Sequence, residues 1–564
     1  MVTKTLPIGI DDFEMLITRG YYFIDKTLFI KELLDKKTAV NLFTRPRRFG
    51  KTLNMSMLQY FFEDARDYEG NKINHKELFE GLNICNEDEK YIKHREQYPV
   101  IALSLKSAKQ PNFDSAYAMM VRAVADEFRR HSFILKDEKL ANQKERYELL
   151  MCEHADRNNY NDSLKFLSDC LLKYYGKKSI ILIDEYDVPL ENAFLRGFYD
   201  EMIDFIRSIF ESAFKTNGSL EFAVITGCLR ISKESIFTGL NNMKIYSVLD
   251  KNYDEYFGFT EDDIKRLCDD YNLSHKLDII RKWYNGYIFG NANVYNPWSV
   301  IQYVYDLLAD ENEYPHAYWA NTSSNSIVRS LIDKADDITR EEIEKLIAGG
   351  SIEKPIHEDI TYDEIYKTMD NLWNFMFFTG YFRKVSEHME FSTNQRYVSL
   401  SIPNEEVRYI FRTKVLGWFD EQVKERDRSR LFTSFVQLNP KSVEEEIQDM
   451  LLRTISFYDA CESFYHGFLA GVFYGMDGYI VKSNREGGTG RTDLFIKPVS
   501  RRKTAFVVEF KVADELDGLE AKADDALRQI EDRKYELELY DDGYKDIVRY
   551  GIAFYRKDCC VKVG

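Results

Sequence analysis

Thr38-Ala-Val-Asn-Leu-Phe-Thr-Arg-Pro-Arg-Arg-Phe-Gly-Lys-Thr52 is the stretch whose reading decides the fold. Ala39 to Phe43 is an apolar, β-branched run that predicts a buried strand. A basic loop follows, then Gly50-Lys51-Thr52 and the helical pattern Leu53 to Phe62. Strand, loop and helix in that order predict a phosphate-binding loop. Backbone N–H groups at the helix start hold phosphate oxygens, the lysine reaches the β and γ phosphates, and the threonine hydroxyl meets Mg²⁺. The expected nucleotide contacts are therefore Arg48, Gly50, Lys51 and Thr52. The pattern G-x-x-x-x-G-K-[ST] calls for glycine where this chain has Arg45. A basic turn that merely ends in Gly-Lys-Thr competes with this reading until a second element supports it.

That element lies downstream. Ser179-Ile-Ile-Leu-Ile-Asp-Glu-Tyr-Asp187 is an apolar strand running into acids, which matches the Walker B pattern. Asp184 is expected to organise Mg²⁺ and Glu185 to position or deprotonate the attacking water. Phe222 to Arg230 is a further strand that brings Thr226 to its carboxyl end, where ligand-contacting residues of parallel sheets gather. Thr226 reads as a γ-phosphate sensor. Arg230 is a candidate to complete this site in cis or to reach a neighbouring subunit's site, where an arginine stabilises transition-state charge; a surface arginine after a strand is the competing reading. Val100 to Leu105 predicts another buried strand, and most of Phe113 to Tyr175 reads as helix. Glu255 to about Leu451 is mostly helical and aromatic. Within it, Thr260 and Asp263 resemble a capping box with Asp in place of Glu or Gln. Tyr284-Asn-Gly-Tyr287 and Tyr295-Asn-Pro-Trp298 mark turns, and Trp298 and these tyrosines read as core and turn residues rather than as a base-stacking platform.

With 564 residues the chain needs more than one core. The net charge of −17 argues against a protein that coats nucleic acid with its whole surface, so phosphate contacts must be local. Two stretches qualify: Thr44 to Thr52, basic and free of acids, and Lys482 to Lys511, with eight Lys or Arg against Glu486, Asp493 and Glu509. The eight cysteines lack C-x-x-C spacing, which disfavours a zinc site or disulfide framework and suits a reducing cytoplasm. Met1 to Ile10 lacks an apolar signal core, and no window approaches ~18 uninterrupted apolar residues. The expectation is a soluble, cytoplasmic protein with no membrane partner.

A second site is legible near the C-terminus. Gly490 to Lys497 and Thr504 to Val512 predict two strands of a hairpin. Period-two geometry sets Glu509 and Lys511 on one face, with Val508 and Phe510 on the other. Asp493 on the first strand can reach the same place. Two carboxylates for Mg²⁺ with an ammonium beside them can hold a scissile phosphate and neutralise charge as a phosphodiester is attacked. Possible supporting residues are Glu462 and His466, one helical turn apart, Glu486 before the Gly-rich turn, and Gln529 on a following helix. A solvated hairpin with alternating charge is the competing reading.

Taken together, the chain resembles bacterial and archaeal proteins that join an AAA-ATPase-like domain to a C-terminal PD-(D/E)XK nuclease domain. The resemblance rests on Tyr22 to Thr27, Arg45 to Thr52, Leu182 to Asp187, Tyr284 to Tyr287 with Tyr295 to Trp298, Tyr465-His466-Gly467, and Gly490 to Asp493 with Glu509 to Lys511. It implies an α/β chain with an ASCE/AAA-like parallel-sheet P-loop NTPase over 1–255, a mostly helical lid and connector over 256–450, and an α/β PD-(D/E)XK nuclease-like domain over 451–564. By resemblance, Asp493 and Glu509 are the nuclease metal ligands and Lys511 the catalytic lysine. Tyr465, His466 and Gln529 support them. The implied cofactors are ATP and Mg²⁺, with Mn²⁺ as an alternative at the nuclease site. The implied partner is nucleic acid, DNA in the first instance, and an oligomer is compatible with Arg230 acting in trans. The function expected is a nuclease regulated by nucleotide state. The alternative is a nucleotide-gated switch that binds nucleic acid or protein without cutting.

Overall fold

The computed structural model describes residues 4–215, 217–230, 242–321, 328, 331, 333–334, 336–358, 362–365, 367–392, 394–414, 428–454, 462–474, 476–487 and 490–564. The chain divides into two compact units, Met1–Asn325 with Ser351–Tyr409, and Ser326–Gly350 with Ile410–Gly564.

The first unit is built on five strands: β1 Val40–Thr44, β2 Val100–Ser104, β3 Ser179–Asp184, β4 Leu220–Gly227 and β5 Met243–Tyr246. They are all parallel, in the order β2-β3-β4-β1-β5. Every residue of β1 and β3 is buried, as their continuous apolar runs require of strands covered on both faces. The topology places β4 between β1 and β3, so the carboxyl ends of these three strands adjoin. At the β2 edge, Glu127 accepts the Ala102 N–H at 3.0 Å and Arg130 donates to the Val100 carbonyl at 2.6 Å, which occupies backbone groups that an edge strand leaves open.

Gly227 closes β4 against the loop after β3. A Cβ at that position would lie 2.5 Å from the Tyr186 ring and 2.9 Å from Asp187 Oδ1. Only glycine lets these two strand ends approach so closely.

The stretch read as mostly helical carries two small antiparallel sheets besides its helices. One joins β6 Phe259–Thr260, β7 Tyr287–Phe289 and β8 Ala292–Tyr295 in the order β6-β8-β7, and the other joins β9 Ile352–Ile356, β10 Arg383–Glu390 and β11 Gln395–Ser401 in the order β10-β11-β9. The capping box forms: Thr260 Oγ1 accepts the Asp263 N–H at 3.3 Å, and Asp263 accepts the Thr260 N–H at 2.9 Å. Tyr284, Tyr287 and Tyr295 are buried core residues. The described cysteines are free thiols, and among the described residues no helix is long and apolar enough to cross a membrane.

The second unit holds β12 Tyr479–Gly487, β13 Gly490–Pro498, β14 Ala505–Val512, β15 Ile547–Tyr555 and β16 Asp558–Val563, a sheet in sequential order. β14 and β15 are parallel and the other pairs antiparallel. The Leu519–Arg533 helix lies in the crossover from β14 to β15, as a parallel pair demands. It packs so close that a Cβ at Gly551 would meet the Ala523 carbonyl at 2.4 Å. One face of the sheet, with Leu494, Val508, Phe510 and Phe554, packs in a core shared with the Ser429–Val436 and Glu462–Phe473 helices. The other face carries Phe495 and Val507 against Ile530 and Tyr535. The expected hairpin and its two-faced second strand are present.

Candidate functional sites

In the first unit the loop between β1 and the Lys51–Phe62 helix contains two left-handed residues, Arg48 at φ 71° and Gly50 at φ 79°. Backbone that alternates in this way makes anion-binding concavities. Lys51 is buried beneath the loop, and its ammonium donates to the Arg45 carbonyl at 3.0 Å and the Pro46 carbonyl at 2.9 Å. Thr52 Oγ1 donates to Asp184 Oδ2 at 2.7 Å, and Thr226 Oγ1 donates to the other oxygen of the same carboxylate. Adjacent β1, β4 and β3 thus bring Thr52, Thr226 and Asp184 into one hydrogen-bonded chain. Thr226 is fully buried, and its hydroxyl is directed to Asp184. Glu185, left-handed at φ 53°, lines the cleft next to Lys51 and Thr52. Arg230 forms an ion pair with Glu358 at 3.7 Å.

Three residues play parts that the sequence did not reveal. Arg45, where glycine was called for, is buried, and its guanidinium donates to the carbonyls of Thr44 at 2.9 Å and Tyr246 at 2.8 Å. It lies over the rings of Phe257 and Phe289 at 5.2 and 5.3 Å, and burial lowers its pKa to about 10. Arg45 therefore ties the ends of β1 and β5 together. Asp187 accepts the N–H groups of Cys228 and Leu229 at 2.7 and 3.2 Å, and burial pushes its carboxyl up to about 6. Its place in the Asp-Glu-Tyr-Asp run was the available signal. Trp298, read as a core or turn residue, lines the cleft, with the Arg48 guanidinium 4.4 Å from its ring centroid. The cleft has a volume of about 410 Å³.

In the second unit, backbone pairing between β13 and β14 runs from Ile496–Phe506 to Leu494–Val508 and stops where the acids begin. There the side chains take over. Phe510 N–H donates to Asp493 Oδ2 at 3.0 Å, and Asp493 N–H donates to Glu509 Oε2 at 3.3 Å. The Gln529 amide donates to Glu509 Oε1, and Lys511 Nζ is 3.6 Å from the same oxygen. Burial, and next the charge of Asp493, push the Glu509 carboxyl up to about 8, while Lys511 acts in the opposite direction. Tyr535 steadies Gln529, whose amide also donates to its hydroxyl at 3.3 Å. Nothing in the local sequence marked Tyr535. Tyr465 is a core residue, stacked on Phe554 at 4.2 Å with its hydroxyl donating to the Arg556 carbonyl at 2.7 Å. The side chains of Glu462, His466 and Glu486 lie outside the described residues.

The donor sets suit hard cations. Thr52 and Asp184 offer adjacent oxygens, and Asp493 with Glu509 offers facing carboxylates whose repulsion a cation would relieve. Among the described residues no cluster of three or more His, Cys, Asp or Glu side chains could hold a metal alone. A pair of carboxylates completed by substrate phosphate is the usual arrangement for Mg²⁺.

A parallel sheet with this loop at the carboxyl end of its strand β1, followed by a mixed sheet bearing paired acids, defines a chain that joins a P-loop-type α/β domain to a nuclease-like α/β domain. Comparison with known families agrees: residues 7–237 match the AAA-ATPase-like family described as "Predicted AAA-ATPase", and residues 460–563 match the PD-(D/E)XK nuclease superfamily. The chain carries an AAA-ATPase-like domain and a C-terminal domain of the PD-(D/E)XK nuclease superfamily. Trp298 and the Tyr256 to Phe259 wall of the cleft lie beyond the first match. The chain is also similar to an "Uncharacterized protein in vnfD 5'region" of Azotobacter chroococcum mcd 1, at 28% identity over 335 residues, or 59% of this chain. It spans 57% of that relative's length.

Proposed function

We propose that this chain is a two-site enzyme: an ATPase whose nucleotide state regulates a Mg²⁺-dependent nuclease acting on DNA. The observation that carries the reading is the convergence of Asp493, Glu509, Lys511 and Gln529 where β13 and β14 part. Asp493 and Glu509 would hold the divalent cation. When bound, such an ion acidifies water and offsets charge on a phosphodiester. Lys511 neutralises charge that builds on the scissile phosphate, and Gln529 fixes the Glu509 carboxylate in its orientation. Mn²⁺ can replace Mg²⁺ here because the donors are carboxylate oxygens.

At the other site, the loop N–H groups, Arg48 and Lys51 bind the triphosphate, with Gly50 allowing the chain to turn into the helix. Thr52 and Asp184 would hold Mg²⁺, Thr226 keeps Asp184 in place, and Glu185 orients the attacking water. Arg230 serves this site or a neighbouring subunit's. The division we propose has the ATPase over 1–255, a lid and connector over 256–450 and the nuclease over 451–564.

The test is incubation of wild type, Lys51→Ala and Glu509→Ala with linear, circular and single-stranded DNA and with RNA, with and without ATP and Mn²⁺. Wild type cleaves DNA, Glu509→Ala does not, and Lys51→Ala loses its response to ATP. Wild-type-like cleavage by Glu509→Ala, from a preparation free of contaminating nuclease, overturns the assignment. One observation favours the alternative, a nucleotide-gated binder that does not cut. Both oxygens of the Glu509 carboxylate are already engaged, one by the Asp493 N–H and the other by Gln529. Binding of DNA without cleavage in excess Mn²⁺ at pH 8.5 would favour that reading.

A further inference from the structure

The cleft that contains Lys51 and Thr52 is lined by two kinds of side chain. The phosphate loop contributes the cations Arg47, Arg48 and Lys51. Other segments contribute apolar side chains, among them Ile10, Phe23, Ile24, Phe259, Trp298 and Ile301. A site for free phosphate needs only the first kind. The second suits a ligand with a flat, poorly hydrated part attached to its phosphates.

Trp298 is firmly built into that wall. It opens the thirteen-residue Pro297–Ala309 helix, where Asn296 Oδ1 accepts the Trp298 N–H at 3.0 Å and the Ser299 N–H at 3.4 Å. Pro297 at the first helical position fixes the entry angle. Ser299 Oγ then donates to the fully buried Glu406 carboxylate at 2.8 Å, and Glu406 also accepts the Trp319 N–H at 2.8 Å. A cap, a proline and a buried anchor thus fix the start of this helix, from which the half-buried Trp298 side chain enters the cleft.

The face of that indole is covered by Arg48, a residue of the phosphate loop itself. Both cations are satisfied within the protein: Lys51 by carbonyls of its own loop, and Arg48 by an aromatic face. Arg48 thus links the Trp298 ring directly to the phosphate loop within one cleft.

We infer that Trp298 is the nucleobase platform of this cleft and that Arg48 guards it, moving from the ring to the phosphates when a purine nucleoside triphosphate binds. The inference rests on the nucleotide-site reading above and adds the base-binding residue and the coupling. Guanidinium–indole and base–indole contacts are comparable in strength, so exchanging one for the other is close to neutral. The charge-assisted bonds that Arg48 gains at the triphosphate then set the direction. Base recognition and phosphate recognition become one event. A nucleoside without phosphates must displace Arg48 with no such return.

The test is calorimetric titration of the full chain with MgATP, tripolyphosphate and adenosine, using wild type, Trp298→Ala, Trp298→Phe, Arg48→Ala and Lys51→Ala. Trp298→Ala weakens MgATP about tenfold or more and leaves tripolyphosphate within about twofold, while Trp298→Phe restores most of the loss. Arg48→Ala weakens MgATP and tripolyphosphate yet binds adenosine more tightly than wild type, because the platform is uncovered. Retained tripolyphosphate binding reports that a variant is folded, and Trp298→Phe decides the matter if Trp298→Ala does not fold. Wild-type MgATP affinity in Trp298→Ala, alongside loss of binding in Lys51→Ala, overturns the platform and leaves the nucleotide site standing. Arg48→Ala with no gain for adenosine overturns the guard. Failure of wild type to bind either MgATP or tripolyphosphate overturns both readings together.

Discussion

The two candidate sites each set two carboxylates near a lysine, and they hold them in opposite ways. At the first, the Asp184 carboxylate is fully met by hydroxyls, one from Thr52 and one from Thr226, while Lys51 rests on carbonyls of its own loop. At the second, Glu509 faces Asp493, and Lys511 at 3.6 Å offsets only part of the repulsion. The first site has its Asp184 carboxylate satisfied and its lysine folded inward, ready to be drawn out by an anion. The second carries an excess of negative charge in a buried place, ready for a cation. One residue inventory therefore serves two purposes, and the backbone decides which. A left-handed loop at a helix start gathers N–H groups, whereas two strands parting at Leu494–Val508 open a gap between acids.

The contrast can be broken at either end. The largest effect is expected from Glu509→Ala, which reduces metal-dependent cleavage to background while leaving MgATP affinity, measured by calorimetry, unchanged. Lys511→Ala, which removes a charge needed only as the phosphate is attacked, costs about 10²- to 10³-fold in single-turnover rate. Lys51→Ala weakens MgATP about ten- to a hundredfold by equilibrium titration, the loss of charge-assisted bonds to phosphate, and leaves Mn²⁺ binding at Asp493 and Glu509 intact.

A third buried acid sharpens the comparison. Burial raises Glu406 to about 8, as it does Glu509, but Glu406 is met by the Ser299 hydroxyl and the Trp319 N–H. Folding takes up a proton there between the ordinary carboxylate range and about pH 8. Its stabilising contribution is complete in acid and is lost as pH rises through about 8, at up to ~1.4 kcal/mol per pH unit. Thermal unfolding of Glu406→Gln at pH 5, 6.5 and 8 should show that pH dependence flattened, with cleavage unaffected. The smallest effect is expected from Arg45→Met, which leaves the Thr44 and Tyr246 carbonyls without their donor and lowers stability by about 2 kcal/mol in urea unfolding.

Much of this arrangement was legible in the sequence because its signals are local. Ala39 to Phe43 and Ser179 to Ile183 are apolar runs that only buried parallel strands explain, and the alternation from Val508 to Lys511 assigned each side chain its face. What escaped notice depended on distant partners. Arg45 departs from the general phosphate-loop pattern, and its part as a tie was hidden because the carbonyl of Tyr246 and the rings of Phe257 and Phe289 that enclose it lie some two hundred residues away in the chain. Trp298 looked like a core residue because nothing local shows that the Asn296 cap turns it toward Arg48. β10 escaped because Arg383 to Glu390 is charged and mostly exposed, without the apolar alternation that betrays a half-buried strand. Tyr535 was invisible because it touches Glu509 only through Gln529.

The central claim is that Asp493 and Glu509 form a cation site that carries out cleavage. Anomalous diffraction from crystals of the full chain soaked in Mn²⁺ at pH 8.5, above the Glu509 pKa, tests it most directly. The account predicts a Mn²⁺ peak within coordination distance of both carboxylates that disappears in Glu509→Ala. A metal-free, splayed pair in saturating Mn²⁺ would contradict it.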